Sequence, residues 1–442
     1  MKESLTRMLV RRGFLFAFAI AFLFIISKNE LREVFYPTLP AEDGTFFFQI
    51  FYNEHELHPI IRFYSGYISI LPHLLAYLLT FLPVVWVPSA FALTALCITA
   101  GTSALFYKLS VQMGRSPLFA LYSVAIVSAL PLGDSWIVGT LAYQSWNFTL
   151  ILFLAILLPL PQKTGWRILY IVFLHCSIWS HPLTVLIVLP LLYKISKERE
   201  ERAHRILLCL SATIYYLWGT QHAKFKGFNL LETLQIFFIR VSSESAIGPV
   251  RRMDWAQAGA TTALLILGIV LTALLGIALA KQWGRMEEKE KTTILTLGYY
   301  LLGSAAIAIV FRIQSRDLGM EYISAVWGVQ YTYLSKILFV FLFLIALPSF
   351  VRKGGARRWI HLASIALLLA INANGKEVYQ TREDNGRTIL KFVELIERNL
   401  PNCQPGEQKI VTLKKGDKPN TETTSHFHIT IDICAPLKGK NE

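Results

Sequence analysis

Two adjacent carboxylates, Glu42 and Asp43, stand in the segment Ala41-Glu42-Asp43-Gly44-Thr45-Phe46-Phe47-Phe48, shortly after the first long apolar run. An ionised carboxylate can take the proton of a hydroxyl as a nucleophile forms. Burial of a carboxyl raises its pKa and makes it a better base. Gly44 lets the backbone turn tightly beside the pair. The same two residues would also serve as a solvated acidic turn, so their placement in the fold decides between the readings.

Other polar groups cluster at the ends of apolar runs. Arg251 and Arg252 precede one run, Arg312 and Arg316 follow another, and Arg62 lies close in sequence to the acidic pair. Guanidinium groups bind phosphate through forked, charge-assisted hydrogen bonds. At a membrane boundary they also snorkel toward lipid head groups. Lys224 and Lys226 carry the same choice. Asp134 lies in Pro131-Leu132-Gly133-Asp134-Ser135-Trp136, and Tyr143-Gln144-Ser145-Trp146-Asn147 opens the next run. Amides and aromatic rings at a helix mouth suit hydroxyl-rich ligands such as sugars, and they equally suit caps and an aromatic belt. His181 stands before Pro182 and His222 after another run, while His55 and His58 flank acidic residues. None is joined by further ligands at zinc spacing, so no metal is expected. A carboxylate pair is compatible with a divalent cation, but none is predicted.

The elements that must position these groups are apolar. The chain has 442 residues, 54% hydrophobic and only 16% charged, with mean hydropathy +0.46. A soluble domain carries roughly a quarter charged residues. Apolar runs fall near 9–27, 84–107, 117–133, 142–160, 166–180, 183–194, 204–220, 257–280, 292–311, 333–351 and 359–373. At about 20 residues per crossing, the expectation is an all-α polytopic membrane protein with about eleven transmembrane helices. The 166–194 stretch must bend at His181-Pro182. The apolar stretch from Gly13 to Ser27, with Lys2, Arg7, Arg11 and Arg12 before it and no small-residue cleavage site after it, reads as a retained signal-anchor.

Segment 66–83 (GYISILPHLLAYLLTFLP) decides the topology. If it lies along the interface, broken at Pro72, Lys and Arg number 21 in the short segments of one side and 11 in the longer loops of the other, with the remaining 11 of 43 in the stretch from 374 onward. If it crosses, 17 of those 21 change sides. The positive-inside bias therefore predicts an interfacial helix, the N-terminus cytoplasmic and the C-terminus outside. The same bias accounts for the net charge of +14 without nucleic acid. Residues 1–373 read as the membrane module, with 28–83 its first outer loop and 221–256 a later one. Residues 374–442 read as a small outward appendage with an amphipathic stretch, Thr388 to Leu400, and a strand-like run at 426–433. Outside the cell Cys403 and Cys434 could close a disulfide, while Cys97, Cys176 and Cys209 lie in apolar runs. No phosphate-binding loop of the Walker type is present, which excludes a single-chain ATP-driven pump.

Over about the first 110 residues the chain resembles the GT-C superfamily of integral-membrane glycosyltransferases. The resemblance rests on Glu42-Asp43, the amphipathic Phe46–Tyr52, and Tyr64-Ser65-Gly66-Tyr67 followed by Leu71-Pro72-His73-Leu74-Leu75. A bacterial subgroup has an acidic-Gly loop and a similar helix, with Arg where this chain has His73. Gln330, before Tyr331, likewise replaces an Arg of related enzymes. The resemblance implies inverting transfer of a sugar from a polyprenyl-phosphate donor to a glycan or glycolipid acceptor at the outer face of the bacterial cytoplasmic membrane. It implies Asp43 or Glu42 as the base. Arg251, Arg252, Arg312, Arg316 and Arg62 are then candidates for the lipid phosphate, and Asp134, Gln144, Trp146, Asn147 and His181 for sugar or acceptor. The expected partners are the donor, the acceptor and membrane lipids. A transporter or flippase of lipid-linked glycans, or an O-antigen-type polymerase or ligase, is the alternative. A transporter calls for ionisable residues near the bilayer midplane. The apolar runs carry almost no charge, which favours interfacial chemistry.

Overall fold

The computed structural model describes residues 2–27, 43–54, 57–64, 66–130, 138–197, 201–220, 229–313, 322, 329–346, 394, 398, 402, 410–413 and 429–432. In chain order, α1 (Lys2–Ile25) is followed by a widened, π-type helical turn, Asp43–Phe48, and the short α2 (Gln49–Glu54). A strand pair, β1 (Phe63–Tyr64) with β2 (Tyr67–Ile68), leads into α3 (Ile70–Leu79). Then come α4 (Val87–Gln112), α5 (Pro117–Ala129), α6 (Gln144–Ala155), α7 (Thr164–Ile178), α8 (Val188–Lys197) and α9 (Arg202–Trp218). The next stretch folds as α10 (Leu230–Ile236), a second π-type turn (Phe237–Ser243), α11 (Glu244–Ile247) and α12 (Pro249–Gln257). The helices α13 (Thr261–Trp283), α14 (Glu288–Ala308) and α15 (Val329–Ala346) follow. Far along the chain β3 (Ile410–Leu413) pairs antiparallel with β4 (Ile429–Asp432).

Ten of the apolar runs thus carry helices, and the run at 359–373 lies outside the described residues. Among the described residues, three stretches are long and apolar enough to cross a membrane: Val84–Gln112, Thr261–Trp283 and Glu288–Phe311. Thr164–Ile178 and Pro182–Lys197 pass that test together, bent by 120° at the break that contains His181, where Pro182 cannot continue a helix. That makes up to four crossings by length and composition among the described residues; about eleven are not shown. Several of the other described helices are short. Helices such as α5 and α6 have 13 and 12 residues. At 1.5 Å per residue they cover about 20 Å, short of a hydrocarbon core roughly 30 Å thick. Apolar side chains exposed along α7, α9 and α13, among them Leu169, Val172, Leu207, Leu210, Ile266 and Ile269, suit an apolar surround.

Two sequence expectations change in detail. Pro72 does not break the segment at 66–83. It is the third residue of α3, where the missing N–H would be unsatisfied in any helix, so α3 runs on to Leu79. Its ten residues reach only about 15 Å, too short to cross. The stretch 221–256, read as a plain loop, is helical from Leu230 onward and enters the core. Asn229 caps it by accepting a hydrogen bond from Glu232 N at 3.2 Å.

Close packing of small residues builds the bundle. Ala95, Ala100 and Ala104 of α4 are fully buried, and a Cβ on Gly13 of α1 would collide with the Tyr107 ring. A second apolar cluster sits under the first loop, with Phe47, Phe48, Phe51, Tyr64, Tyr67, Val87 and Phe91. The loop is tied to the ends of later helices. Ile70 N donates to Trp179 O at 2.9 Å, Ile68 N to Gly219 O at 2.9 Å, and Tyr215 Oη to Ile68 O at 2.7 Å. The strand β4 lies against α2 and the Asp43–Phe48 turn. The C-terminal hairpin and the acidic loop therefore occupy the same end of the molecule.

Candidate functional site

Asp43 opens its helical turn and is 1% exposed. Its carboxylate faces the backbone just before α6. Oδ2 accepts from Leu141 N at 2.8 Å and Oδ1 from Ala142 N at 2.7 Å. These two amides sit at the positive end of the α6 dipole, which favours an anion there. The carboxylate is thus oriented and largely withdrawn from water. Glu42 lies outside the described residues, as do Asp134, Arg316, His222, Lys224, Lys226, Cys403 and Cys434.

The helix that holds Asp43 also carries the expected sugar-facing group, but turned inward. Gln144 and Asn147 are both fully buried. Asn147 Nδ2 donates to Gln144 Oε1 at 2.8 Å and to Thr99 Oγ1 at 3.1 Å. Gln144 Nε2 donates to Thr140 O at 3.0 Å, and Tyr333 Oη donates to Asn147 Oδ1 at 3.1 Å. Their polar groups are spent on joining α4, α6 and α15, the usual use of buried amides. Trp146 and His181 are buried too and pack ring to ring. Their rings lie 4.2 Å apart, with Tyr67 5.3 Å from His181 and Tyr331 6.4 Å from Trp146. His181 Nδ1 accepts from Leu183 N at 3.3 Å and caps the short helix after the bend.

His73 lies in a dry, aromatic pocket. It is 3% exposed and packed on aromatic rings, Phe47 at 4.6 Å and Phe51 at 6.0 Å. Its Nδ1–H donates to Ser69 O at 2.6 Å. Desolvation, aided by the charge of Arg62, lowers its pKa to about 4. The ring is therefore neutral at pH 7, in a site that would leave an Arg buried and charged.

One turn beyond Tyr333, α15 carries Lys336 into a second buried group. Lys336 Nζ donates to Glu244 Oε1 at 2.6 Å, and Arg252 Nε donates to Glu244 Oε2 at 3.1 Å. Arg240 Nε pairs with the same oxygen at 3.3 Å. All four side chains are fully buried, and the Arg240 guanidinium stacks 4.0 Å over the Tyr322 ring. Desolvation alone would raise the Glu244 pKa, but the charges of Arg240, Lys336 and Arg252 outweigh it and hold it at about 2. Desolvation and the neighbouring Arg240 charge bring Arg252 down to about 10. The backbone beneath is fixed from α13. Ser243 Oγ donates to Leu264 O, Ser242 and Thr272 share a 2.8 Å hydrogen bond, and Gly268 leaves room for the Phe238 carbonyl.

Arg252, expected at the surface for a phosphate, is instead turned onto Glu244. Arg251 and Arg62 are exposed. Arg312 lies in a third π-type turn, Ile309–Ile313. Sequence reading passed over Arg240, Glu244 and Lys336. Lys336 had a legible signal, since it is the one charge in the apolar run Val329–Ala346. Its burial corrects the expectation of spans nearly free of charge. Arg240 and Glu244 are four apart, a spacing that also describes any surface ion pair on a helix.

Hydrogen bonds and ring contacts link these groups in sequence, from Asp43 through the α6 mouth to Tyr333, and along α15 to Lys336 and Glu244. The seat of Asp43, the ring cluster and the ion cluster are therefore connected through α6 and α15. Set against known protein families, curated proteins and solved structures, the chain matches none of them.

Proposed function

We propose that this chain is an integral-membrane glycosyltransferase of GT-C type, with a bundle of about eleven spans, that uses a polyprenyl-phosphate sugar at the outer face of the bacterial cytoplasmic membrane. The observation that carries the reading is the seating of Asp43. A solvated acidic turn would leave this residue in water, whereas it is 1% exposed and aimed by two backbone amides. In the proposed step the acceptor hydroxyl oxygen bonds to the anomeric carbon from the face opposite the phosphate. Its proton passes to the Asp43 carboxylate. The bond from the anomeric carbon to the phosphate oxygen breaks, and the lipid phosphate leaves with the electron pair. The sugar is assigned to the edge of the buried ring cluster of Trp146, His181 and Tyr67. The exposed Arg251 and Arg62 are the described cations suited to the leaving phosphate. Arg240, Arg252 and Lys336 instead hold α11, α12 and α15 in place around Glu244.

A second reading, export of a lipid-linked glycan, gains from one observation. Lys336 is a buried charge within an apolar helix, as transport pathways require. The two part in proteoliposomes given radiolabelled polyprenyl-phosphate hexose and a native lipid-linked acceptor. Transfer of label to the acceptor supports the enzyme. Passage of an intact lipid-linked glycan between leaflets without transfer supports the transporter and sinks the first reading.

A further inference from the structure

At the end of the bundle away from Asp43 lie two adjoining cavities. The direction follows from three helices. α6 begins beside Asp43 and ends at Ala155. α4 begins beside the first-loop cluster at Val87 and ends at Gln112. α9 runs the other way, and the chain just past it pairs at Thr220 with Tyr67. Where these far ends meet, a cavity of about 340 Å³ is lined by Lys194, Glu201, His204, Arg205 and Lys289. Its neighbour, of about 310 Å³, is lined by Arg115, Arg285, Glu287, Lys289 and Glu290. Gln112 and Lys289 belong to both.

The carbonyls at the end of α6 do not set the charge of this space, because side chains already cap them. Tyr170 Oη donates to Ala155 O at 3.0 Å, Lys194 Nζ to Ile156 O at 2.7 Å, and Gln112 Nε2 to Leu157 O at 2.9 Å. Five Lys and Arg side chains then stand against three Glu in the two linings together. Arg115 pairs with Glu290 at 3.0 Å, and its buried Nε has no hydrogen-bond partner among the described residues. On the other side the wall is apolar, with Leu174, Leu191 and Leu208 from helices that expose further leucines. A basic floor with an apolar wall, at the end of membrane-type helices, is complementary to a phosphate carried on a lipid.

We propose that these cavities bind a phosphate-bearing anion, supplied by the head group of an anionic lipid or by free phosphate, as a site separate from the transfer chemistry at the other end. Lys289, shared by both cavities, is its central contact. The test uses the purified full chain in detergent and follows thermal unfolding with phosphatidylglycerol, phosphatidylcholine or inorganic phosphate added. Ligand that binds only the folded chain raises the melting temperature. The expected result is a rise of several degrees with phosphatidylglycerol and none with phosphatidylcholine. Most of that rise is lost in Lys289→Gln and Arg285→Gln, and it is kept in Lys289→Arg. An equal rise with inorganic phosphate identifies phosphate itself as the ligand. Native mass spectrometry counts bound lipid directly, so a Gln variant that melts early still reports. No rise with either anion, or full lipid retention in both Gln variants, overturns the proposal.

Discussion

Glu244 is the carboxylate on which three buried cations converge, so it is where a single-atom change should be felt most. Removing one partner from a buried charge group costs about 3–5 kcal/mol, because the remaining charges stay in a dry site. Glu244→Gln is expected to lose that much in denaturant titration of the detergent-solubilised chain, and adding Lys336→Met should recover part of it. Its acid profile follows from its depressed pKa. The stabilising contribution is full above about 4.5, the unfolded value, and is lost as pH falls toward 2. Glu244→Gln should flatten the stability curve in that window. His73 also acts through its lowered pKa. The neutral ring binds fewer protons than the unfolded chain, so its contribution is present above 6.5 and is lost as pH falls toward 4. His73→Arg should loosen α3 at pH 7, read as faster hydrogen exchange over residues 66–79. Asp43 was legible as a candidate because two adjacent carboxylates before an aromatic run are conspicuous. Its partners, the amides of Leu141 and Ala142, were not, because backbone donors have no signature in side-chain sequence.

Helices were readable as apolar runs, but their ends and their partners were not. A run of spanning length records only that its residues are apolar. Whether the helix keeps that length depends on caps and packing, as at Leu130, where the chain leaves α5 for an extended conformation. The stretch after Asn229 reads as loop because it falls between the apolar runs 204–220 and 257–280, yet it carries Arg240 and Glu244. Both charges are satisfied inside, so the segment behaves as core. Gly268 is the residue that lets this happen, since any side chain there meets the Phe238 backbone. Gly268→Leu should push the Phe237–Ser243 turn off α13 and cost about 1–3 kcal/mol by overpacking. It should disturb Arg240 and Glu244 without touching either. A melting temperature equal to wild type would show that the turn does not depend on this contact.

For the whole molecule, the charge bias and the contacts bear on one question, which side each end occupies. The strand β4 rests on α2 and the Asp43–Phe48 turn, so the C-terminal hairpin and the first loop must share a side. Cysteines placed singly at 38 and 420, in a variant lacking native cysteines, should react together with an impermeant thiol reagent on intact cells. A cysteine at 199, in the segment 194–205 expected on the cytoplasmic side, should be protected. Labelling at 38 and 199 but not 420 would contradict this arrangement. The catalytic claim is tested most directly by comparing Asp43→Asn and Glu42→Gln with wild type, at matched expression, for transfer from radiolabelled polyprenyl-phosphate hexose. Asn keeps the shape of Asp43 and one acceptor oxygen but removes the base. The account predicts that Asp43→Asn folds, retains donor binding and loses transfer by two or more orders of magnitude, in line with roughly 10²–10⁴-fold for a general base. Full transfer by Asp43→Asn would contradict it and leave Asp43 as a latch between the first loop and α6.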